Sequence, residues 1–215
     1  MNSTFQIDQT NIGAGHPTFV VAEISANHCQ SFDRAAKLIV AAKESGADAV
    51  KLQTYTADTL TIDCDADEFL IQGTIWNGQK LYDLYNQAHT PRDWHPGLME
   101  VASDVDLLLF SSPFDATAVD FLEQLHVPVY KIASFEIGDL ALLKKVALTG
   151  KPIILSTGMA TQDEIELAIE TLRQNHATEI ALLKCTSAYP AAPESMNLKT
   201  IRSMIETYGL SLIHI

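Results

Sequence analysis

The sequence predicts an incomplete TIM (β/α)8 barrel, an α/β fold in which helices cover a parallel sheet. Short, fully apolar runs alternate with segments whose apolar residues recur at helical spacing, which is typical of buried parallel strands joined by helices. The strand ends also recur regularly, since 25 residues separate Lys131 from Ser156 and 28 separate Ser156 from Lys184. This spacing is close to the ~30 residues per unit of a barrel of ~250 residues. Six such units can be counted in the 215 residues, and we expect two to be missing.

The first unit shows how each element is recognised. Residues 19–25 (FVVAEIS) form an apolar run that ends in polar groups, which predicts a strand. Residues 32–45 carry apolar side chains at helical spacing and are followed by Gly46, a common helix stop. The same pattern predicts further strands at 48–53, 107–111, 128–132, 152–156 and 179–184, and further helices at 115–125, 138–148, 162–175 and 197–207.

The segment between Gln53 and Trp94 interrupts this regular spacing. It is long, polar and spotted with aromatic residues, and connections of this length are often functional lids. Trp76, Tyr82 and Tyr85 favour an ordered flap over the barrel mouth, whereas the alternative is an insertion packed on the outside. Because no low-complexity or Ser/Gly-rich linker divides the chain, residues 1–215 are predicted to form one barrel domain.

Composition excludes several classes of protein. The chain is 47% hydrophobic and carries 14 basic against 27 acidic residues, a formal charge of -13, so neither nucleic acid nor an anionic membrane is an expected partner. The amino terminus lacks the basic start and apolar core of a signal peptide. The three cysteines show no CxxC spacing, which predicts reduced thiols in a cytoplasmic protein.

Three lysines follow apolar runs at predicted strand ends. Lys51, Lys131 and Lys184 stand in ADAVKLQT, VPVYKIAS and IALLKCTS, and ligand sites of parallel α/β folds lie at the carboxyl ends of the strands. We therefore expect these cations to converge on one pocket for an anionic, oxygen-rich small molecule. The same strand ends carry Glu23, Gln53, Ser111, Ser112, Ser134, Glu136, Ser156 and Thr157.

These residue types suit a phosphate cage. Lysine supplies a point charge, and Ser hydroxyls with backbone N–H groups complete the set of donors. Lys51, Lys131, Ser112, Ser134 and Ser156 could form such a cage. The STG sequence at 156–158 resembles a phosphate-binding turn before a helix, although so short a motif is unspecific.

The two carboxylates beside these cations allow two interpretations. Ionised Glu23 and Glu136 could hold sugar hydroxyls or take a proton. Alternatively, they are salt-bridge partners that fix the lysines. Lys131 and Lys184 also admit a class I aldolase, because a desolvated amine can form a Schiff base. His28, His95 and His126 lack metal-binding spacing and are expected in loops or on the surface.

Six ordered motifs resemble one enzyme family. AEISANH, VKLQTYT, FSSPFD, YKIASFEI, KPIILSTGM and ALLKCTSAYP occur in this order between residues 19 and 209. They resemble the sialic acid synthases, which condense phosphoenolpyruvate with an amino-sugar. Within that family, the segments QTYTADTLTIDCD, IQGTIWNGQKLYDLY and SPFDATAVDFL are more similar to the pseudaminic acid synthases than to the N-acetylneuraminate synthases.

The resemblance implies a transferase reaction on a TIM barrel. C3 of phosphoenolpyruvate would attack the open-chain aldehyde of 2,4-diacetamido-2,4,6-trideoxy-altrose, water would add at C2, and phosphate would leave by C–O cleavage. N-acetylneuraminate synthase acting on N-acetylmannosamine is the nearest alternative. A phosphosugar-binding protein without catalysis, descended from the same barrel, is a third possibility.

Site roles follow from the same motif matches. Glu23 corresponds to the catalytic acid/base. Contacts to phosphoenolpyruvate correspond to Lys51, Ser112, Lys131, Ser134, Ser156 and Ser187, and positions lining the sugar correspond to Gln53, Glu136 and Tyr189. Ser187 departs from the N-acetylneuraminate synthases, which have Asn at this position.

The carboxyl end departs from the family pattern. The resemblance implies a GLSDHT-like strand whose His binds Mn²⁺ or Mg²⁺, then an antifreeze-like domain that covers the partner's site in a homodimer. This chain reads YGLSLIHI, so the metal role does not transfer to His214. We expect a carboxyl-terminal truncation, metal ligands beyond this chain, and little or no activity of the chain alone.

Overall fold

The computed structural model describes residues 4–13, 15–73, 76–188 and 191–213. The chain divides into two compact units, one formed by Met1–Val21 with Phe110–Ile215 and the other by Ala22–Leu109. Strand β5 (Leu108–Pro113) runs through the boundary between these segments. We call Met1–Val21 with Phe110–Ile215 the first unit and Ala22–Leu109 the second unit.

The first unit begins with a hairpin that was not predicted. Strands β1 (Thr4–Ile7) and β2 (Thr10–Gly13) pair antiparallel, and Phe5, Ile7 and Ile12 are buried. The connecting Asp8 adopts a positive φ of 52°, which Asp tolerates better than most residues. The pattern was missed because both strands are only four residues long and no Gly marks the turn.

The rest of the first unit is a parallel sheet with helices. After Phe110 in β5, the neighbouring strands are β6 (Tyr130–Ile132), β7 (Ile153–Ser156), β8 (Ile180–Leu183) and β9 (Ser211–Ile213), and each adjacent pair is parallel. The helices are α5 (Ala116–Gln124), α6 (Leu140–Ala147), α7 (Gln162–Gln174) and α8 (Thr200–Tyr208). Short 3-10 helices cover Ser134–Gly138 and Pro193–Ser195. This arrangement confirms the predicted alternation of strands and helices.

Side-chain caps explain where three of these helices begin. Asp115 accepts hydrogen bonds from the backbone N–H groups of Thr117 and Ala118, and Asp139 accepts one from that of Leu142. Thr161 and Glu164 form a capping box at the start of α7. Such caps satisfy N–H groups that have no partner within the helix. The predicted helix at 138–148 therefore begins at Leu140, after a separate 3-10 turn.

The core of the first unit lies between the sheet and its helices. Alternate strand residues such as Ile132, Leu155 and Leu182 are fully buried there, and they pack with Ile169 and Leu172 of α7. The intervening residues of each strand point to the opposite face. This alternation decides which strand-end groups can lie together.

The second unit contains strands β3 (Val21–Glu23), β4 (Ala49–Thr54) and the start of β5, neighbours in that order. Its long helices α1 (Phe32–Glu44) and α4 (Trp94–Asp104) cover a core that includes Ile39, Val50, Leu52 and Leu98. The segment expected to be a long flap contains helices α2 (Ala57–Leu60) and α3 (Leu81–Ala88), and a 3-10 turn at Asp67–Phe69.

Interactions within the second unit order this segment. Tyr55 and Tyr85 pack edge to face with ring centroids 6.0 Å apart, and the Tyr82 hydroxyl donates to Asp58. Lys80 forms ion pairs with Asp63 and Asp65 at 2.8 and 2.6 Å. The segment is thus an ordered helical insertion rather than a structureless loop.

Candidate functional site

Lys131 lies on the sheet face opposite the helical core of the first unit. Its neighbours on β6, Tyr130 and Ile132, belong to that core, so the lysine between them points away from it. Lys131 is nevertheless 6% exposed, and its Nζ donates to the Ile132 carbonyl at 3.1 Å. A buried cation here is suited to hold an anion.

Ser112 and Ser156 share that face. Ser111 is paired in register with Tyr130 and so faces the helices, which places Ser112 on the other side of β5. Ser156 pairs with Leu183 of β8, and neither residue belongs to the helix-packed core. Both serines are buried.

The turn after β7 brings three predicted residues to one glycine. The Gly158 N–H donates to Ser134 Oγ at 3.2 Å, and the Cys185 thiol donates to Ser156 Oγ at 3.3 Å. A Cβ on Gly158 would lie 2.5 Å from Ser187 Oγ and 2.8 Å from Ser134 Oγ. Because Ser134 and Ser156 each already accept one hydrogen bond, their own O–H groups can be directed to an anion.

Gly158 and Cys185 were not singled out by sequence reasoning. The STG sequence gave a partial signal, because it indicated a phosphate-binding turn at 156–158. The signal for Cys185 was weaker, because a single cysteine after Lys184 belongs to no CxxC or other recognisable motif. Both residues contact serine hydroxyls. Only the structure shows which strand residues share a face of the sheet and therefore lie near these hydroxyls.

Replacing Gly158 with alanine is expected to weaken the binding of an anion at this cluster about 5- to 150-fold. The added Cβ must displace the two serine hydroxyls, and two neutral hydrogen bonds contribute about 1–3 kcal/mol. Gly158 has no positive φ, so the effect is steric. Gly138→Ala is the matched control, because a Cβ there meets nothing within 4 Å. Equal affinities of both variants for inorganic phosphate, measured by calorimetric titration, would refute this role.

Lys184 does not join this cluster, which corrects the expectation that the three lysines converge. Ile180 and Leu182 belong to the helix-packed core, and alternation places Lys184 on their side of β8. Accordingly, Lys184 lines a cavity with residues of α7 and α8, and its Nζ contacts Thr186 Oγ1 at 2.8 Å.

Glu136 is a half-buried carboxyl group in the 3-10 turn after β6. Its Oε2 atom is buried and has no hydrogen-bond partner among the described residues. Burial raises the pKa of Glu136, and the charge of Lys131 only partly opposes this rise. The expectation that Glu136 stays ionised in a lysine-rich pocket is thus weakened, because desolvation favours the neutral form.

In the second unit, Glu23 and Lys51 form a close ion pair. Glu23 Oε2 and Lys51 Nζ are 2.7 Å apart, and the lysine side chain is 6% exposed against 35% for the glutamate. Val50 and Leu52 pack in the core, so Lys51 and Gln53 share the opposite face of β4. The ion pair that the salt-bridge interpretation requires is therefore present for Glu23, and the exposed part of its carboxylate can still contact a ligand.

Two of the histidines expected in loops or on the surface are buried in the second unit, His28 in the loop between β3 and α1, as expected, and His95 within α4, which corrects that expectation. His28 and His95 are 0% and 1% exposed, whereas His126 is exposed as predicted. His95 Nδ1 donates to the Pro91 carbonyl, so Nε2 is the atom that faces Thr54 Oγ1 at 2.9 Å. His28 contacts Thr90 Oγ1 and accepts from the Gln30 N–H. These interactions hold loops in place.

Acidification is expected to destabilise the second unit below pH 6.5. Burial lowers the pKa of His95 from 6.5 to about 4, so the unfolded chain binds the proton more tightly and stability falls as pH drops through this range. The loss is about 3 kcal/mol for that shift. Urea unfolding at pH 7 and pH 4.5 should show a smaller difference for His95→Asn than for the exposed control His126→Asn. An unchanged pH dependence would exclude His95 as its source.

The described residues do not offer a ligand set for the divalent metal that the resemblance implies. Within residues 4–13, 15–73, 76–188 and 191–213, no three His, Cys, Asp or Glu side chains come together as metal ligands. The carboxylate of Glu23 is paired with an ammonium group. Tyr189 and His214 lie outside the described residues. All three cysteines are free thiols.

Fold and strand-end groups together define an α/β-barrel protein with buried lysines and serine hydroxyls on the sheet face away from the helices. The chain belongs to the NeuB family, whose sequence profile matches residues 38–212. It is 50% identical to the pseudaminic acid synthase of Helicobacter pylori over 194 residues, covering 90% of this chain and 57% of that protein. The pseudaminic acid synthase of Campylobacter jejuni strain 81-176 is 44% identical over 202 residues, covering 94% and 59%.

Solved structures agree with this assignment. The N-acetylneuraminic acid synthetase of Leptospira borgpetersenii, in complex with citrate, superposes with a TM-score of 0.86 at 27% identity, covering 97% of this chain and 68% of that one. The spore coat polysaccharide biosynthesis protein SpsE of Bacillus subtilis gives 0.82 at 32% identity, covering 97% and 56%. The predicted fold class, an incomplete (β/α)8 barrel, is confirmed. The chain spans less than three fifths of the length of the two pseudaminic acid synthases.

Proposed function

We propose that this chain is part of a pseudaminic acid synthase, a transferase that condenses phosphoenolpyruvate with 2,4-diacetamido-2,4,6-trideoxy-altrose. The observation that carries the proposal is the 44–50% identity to pseudaminic acid synthases over at least 90% of the chain. The buried cations and hydroxyls at the strand ends are of the type that a phosphorylated carboxylate needs.

The phosphoenolpyruvate contacts in this proposal are lysines and serines with defined geometry. In the first unit, Lys131 supplies charge, Ser134 and Ser187 supply hydroxyl groups beside Gly158, and Ser156 supplies the hydroxyl that contacts Cys185. In the second unit, Lys51 is the proposed charged contact. Ser112 adds a hydroxyl on the same face of the sheet as Lys131. Hydrogen bonds from such groups to phosphate and carboxylate oxygens are strong because the acceptor is charged.

Glu23 is the proposed acid/base. Its carboxylate can accept a proton from the water that adds at C2, and Lys51, whose Nζ lies 2.7 Å from Glu23 Oε2, holds the carboxylate in place. Bond formation joins C3 of phosphoenolpyruvate to the sugar aldehyde carbon, and the aldehyde oxygen becomes a hydroxyl by taking up the proton that the added water gives up. Cleavage of the C2–O bond then releases phosphate and leaves a C2 keto group.

Gln53, Glu136 and Tyr189 are the proposed sugar contacts. The Glu136 carboxyl, whose pKa is raised by burial, can accept hydrogen bonds from sugar hydroxyls, and its protonated form can also donate one. The Gln53 carboxamide shares its strand face with Lys51 and can do the same. We also propose that Mn²⁺ or Mg²⁺, an antifreeze-like domain and a homodimer belong to the whole protein, with the metal ligands outside this chain.

The proposed location is the cytoplasm. Within the part of the chain that the structure describes, no helix has both the length and the apolar character to cross a membrane. Soluble small molecules are the proposed partners, and the charge of -13 disfavours nucleic acid and anionic membranes.

Acceptor choice tests the proposal against its nearest alternative. The whole protein, supplied with phosphoenolpyruvate and Mn²⁺, is expected to release phosphate with the diacetamido sugar and at least about tenfold more slowly with N-acetylmannosamine. The reverse preference would identify an N-acetylneuraminate synthase.

Borohydride trapping of a substrate on Lys131 would instead identify a class I aldolase. Lys184 is not suited to that role, because it lies on the opposite face of the sheet. Tight phosphoenolpyruvate binding without turnover would identify a binding protein.

A further inference from the structure

A cavity with both polar and apolar lining lies within the first unit, on the helix-facing side of β7 and β8. Its volume is about 180 Å³. Thr157 and Lys184 at the strand ends form one wall, and Gln162 of α7 with Ser203 and Tyr208 of α8 form the others. No role for this cavity follows from the proposed synthase chemistry, because Lys184 points away from Lys131 and Ser156.

The charge of this cavity contrasts with that of the whole chain. Acidic residues outnumber basic ones by 27 to 14, yet the described lining contains no carboxylate and one ammonium group, that of Lys184. The remaining polar lining is mostly hydroxyl-bearing, namely Thr157, Thr200, Ser203, Thr207 and Tyr208. A cation among hydroxyls is a donor set for an oxyanion.

Two of these groups, the Lys184 ammonium and the Tyr208 hydroxyl, can donate further hydrogen bonds. Lys184 Nζ contacts Thr186 Oγ1 at 2.8 Å, which uses at most one of the three N–H donors of an ammonium group. The Tyr208 hydroxyl oxygen is buried and has no hydrogen-bond partner within the described residues. Buried polar groups in folded proteins are nearly always satisfied by protein, water or a ligand, so the Tyr208 hydroxyl is a donor that a molecule in the cavity can use.

The Tyr208 hydroxyl also keeps its proton. Burial raises its pKa, and the carboxylates of Glu166 and Asp163 raise it further. The phenol therefore remains a neutral donor at physiological pH. The same carboxylates disfavour an anion at the Tyr208 side, so the centre of negative charge is expected near Lys184.

We propose that this cavity between α7 and α8 binds a phosphate-sized oxyanion through Lys184, at a site separate from the strand-end cluster of Lys131. The volume is smaller than the ~300–1,000 Å³ of pockets for drug-sized ligands. It suits free phosphate or the phosphoryl group of a small ester rather than a whole nine-carbon sugar acid. The proposal does not depend on the synthase assignment.

Calorimetric titration of the whole protein with inorganic phosphate tests the proposal. Lys184→Gln is expected to remove one class of phosphate site, or to weaken it about tenfold or more, whereas the exposed Lys199→Gln keeps it. Ser203→Asp places a carboxylate in the cavity and is expected to have the same effect, while Ser203→Asn, of equal size and neutral, does not. Ser203 is exposed, so this pair does not depend on tolerance of a buried change.

A second variant separates this site from the strand-end cluster. Lys131→Gln is expected to retain the phosphate binding that depends on Lys184. A parallel titration with methyl phosphate distinguishes free phosphate from an ester as the preferred ligand, and Lys184-dependent binding of either one supports the site. The proposal is wrong if Lys184→Gln and Ser203→Asp bind phosphate as the unsubstituted protein does, or if Lys131→Gln abolishes all binding.

Discussion

Replacing Glu23 with glutamine is expected to lower kcat of the whole protein by about 10²–10⁴-fold, the usual contribution of a positioned acid/base. The amide cannot take a proton from water, yet it preserves the size and hydrogen-bonding reach of the carboxylate. The measurement is steady-state phosphate release with phosphoenolpyruvate and the diacetamido sugar, both varied.

The KM for phosphoenolpyruvate is expected to move little, or to fall, in Glu23→Gln. Lys51 loses the anion that lies 2.7 Å from its ammonium group, so its charge becomes more available to an anionic substrate. Glu44→Gln, an exposed change at the end of α1, is the matched control. A raised KM with unchanged kcat would show that Glu23 positions Lys51 rather than moving a proton.

Replacing Lys131 with alanine is expected to raise the KM for phosphoenolpyruvate about 10- to 150-fold with a smaller change in kcat. Hydrogen bonds to charged groups contribute about 1.5–3 kcal/mol, and each 1.4 kcal/mol is tenfold in affinity. The lysine is buried on the sheet face that also carries Ser112 and Ser156, so water cannot easily replace its ammonium group.

The Lys131→Ala variant should also affect Glu136. The charge of Lys131 lowers the pKa of that carboxyl against the effect of burial, so its removal raises the pKa further. Lys145→Ala is the matched control, because Lys145 is a partly exposed lysine paired with Asp120 on the helical surface. If Lys145→Ala raised KM as much as Lys131→Ala, general charge and not a specific contact would be responsible.

Sequence patterns predicted the parallel fold because each strand is a short apolar run and each helix has a polar face. Boundaries near Asp115, Asp139 and Thr161 could be anticipated within a few residues, since these are helix-capping types. The amino-terminal hairpin and the helices at Ala57–Leu60 and Leu81–Ala88 could not, because their patterns are too short or too polar to give a clear period.

The sequence could not reveal on which face of the sheet each strand-end side chain lies. Strands such as IALL in β8 are apolar at every position. No alternation of polar and apolar residues therefore indicates which alternate positions of the strand face the helices. Lys131 and Lys184 therefore look alike in sequence, although they lie on opposite faces of the sheet. Ser134 and Ser156 were both predicted as members of a phosphate cage, whereas Gly158, whose N–H donates to Ser134 Oγ, has no side chain from which a role could be predicted.

Product analysis tests the central claim most directly. The whole protein is incubated with Mn²⁺, the diacetamido sugar and phosphoenolpyruvate that carries ¹⁸O in the oxygen joining C2 to phosphorus. The proposed synthase gives a nine-carbon keto acid and an equal amount of phosphate that retains the label, because the C2–O bond breaks. Release of pyruvate in place of that acid, or no phosphate release at all, would contradict it.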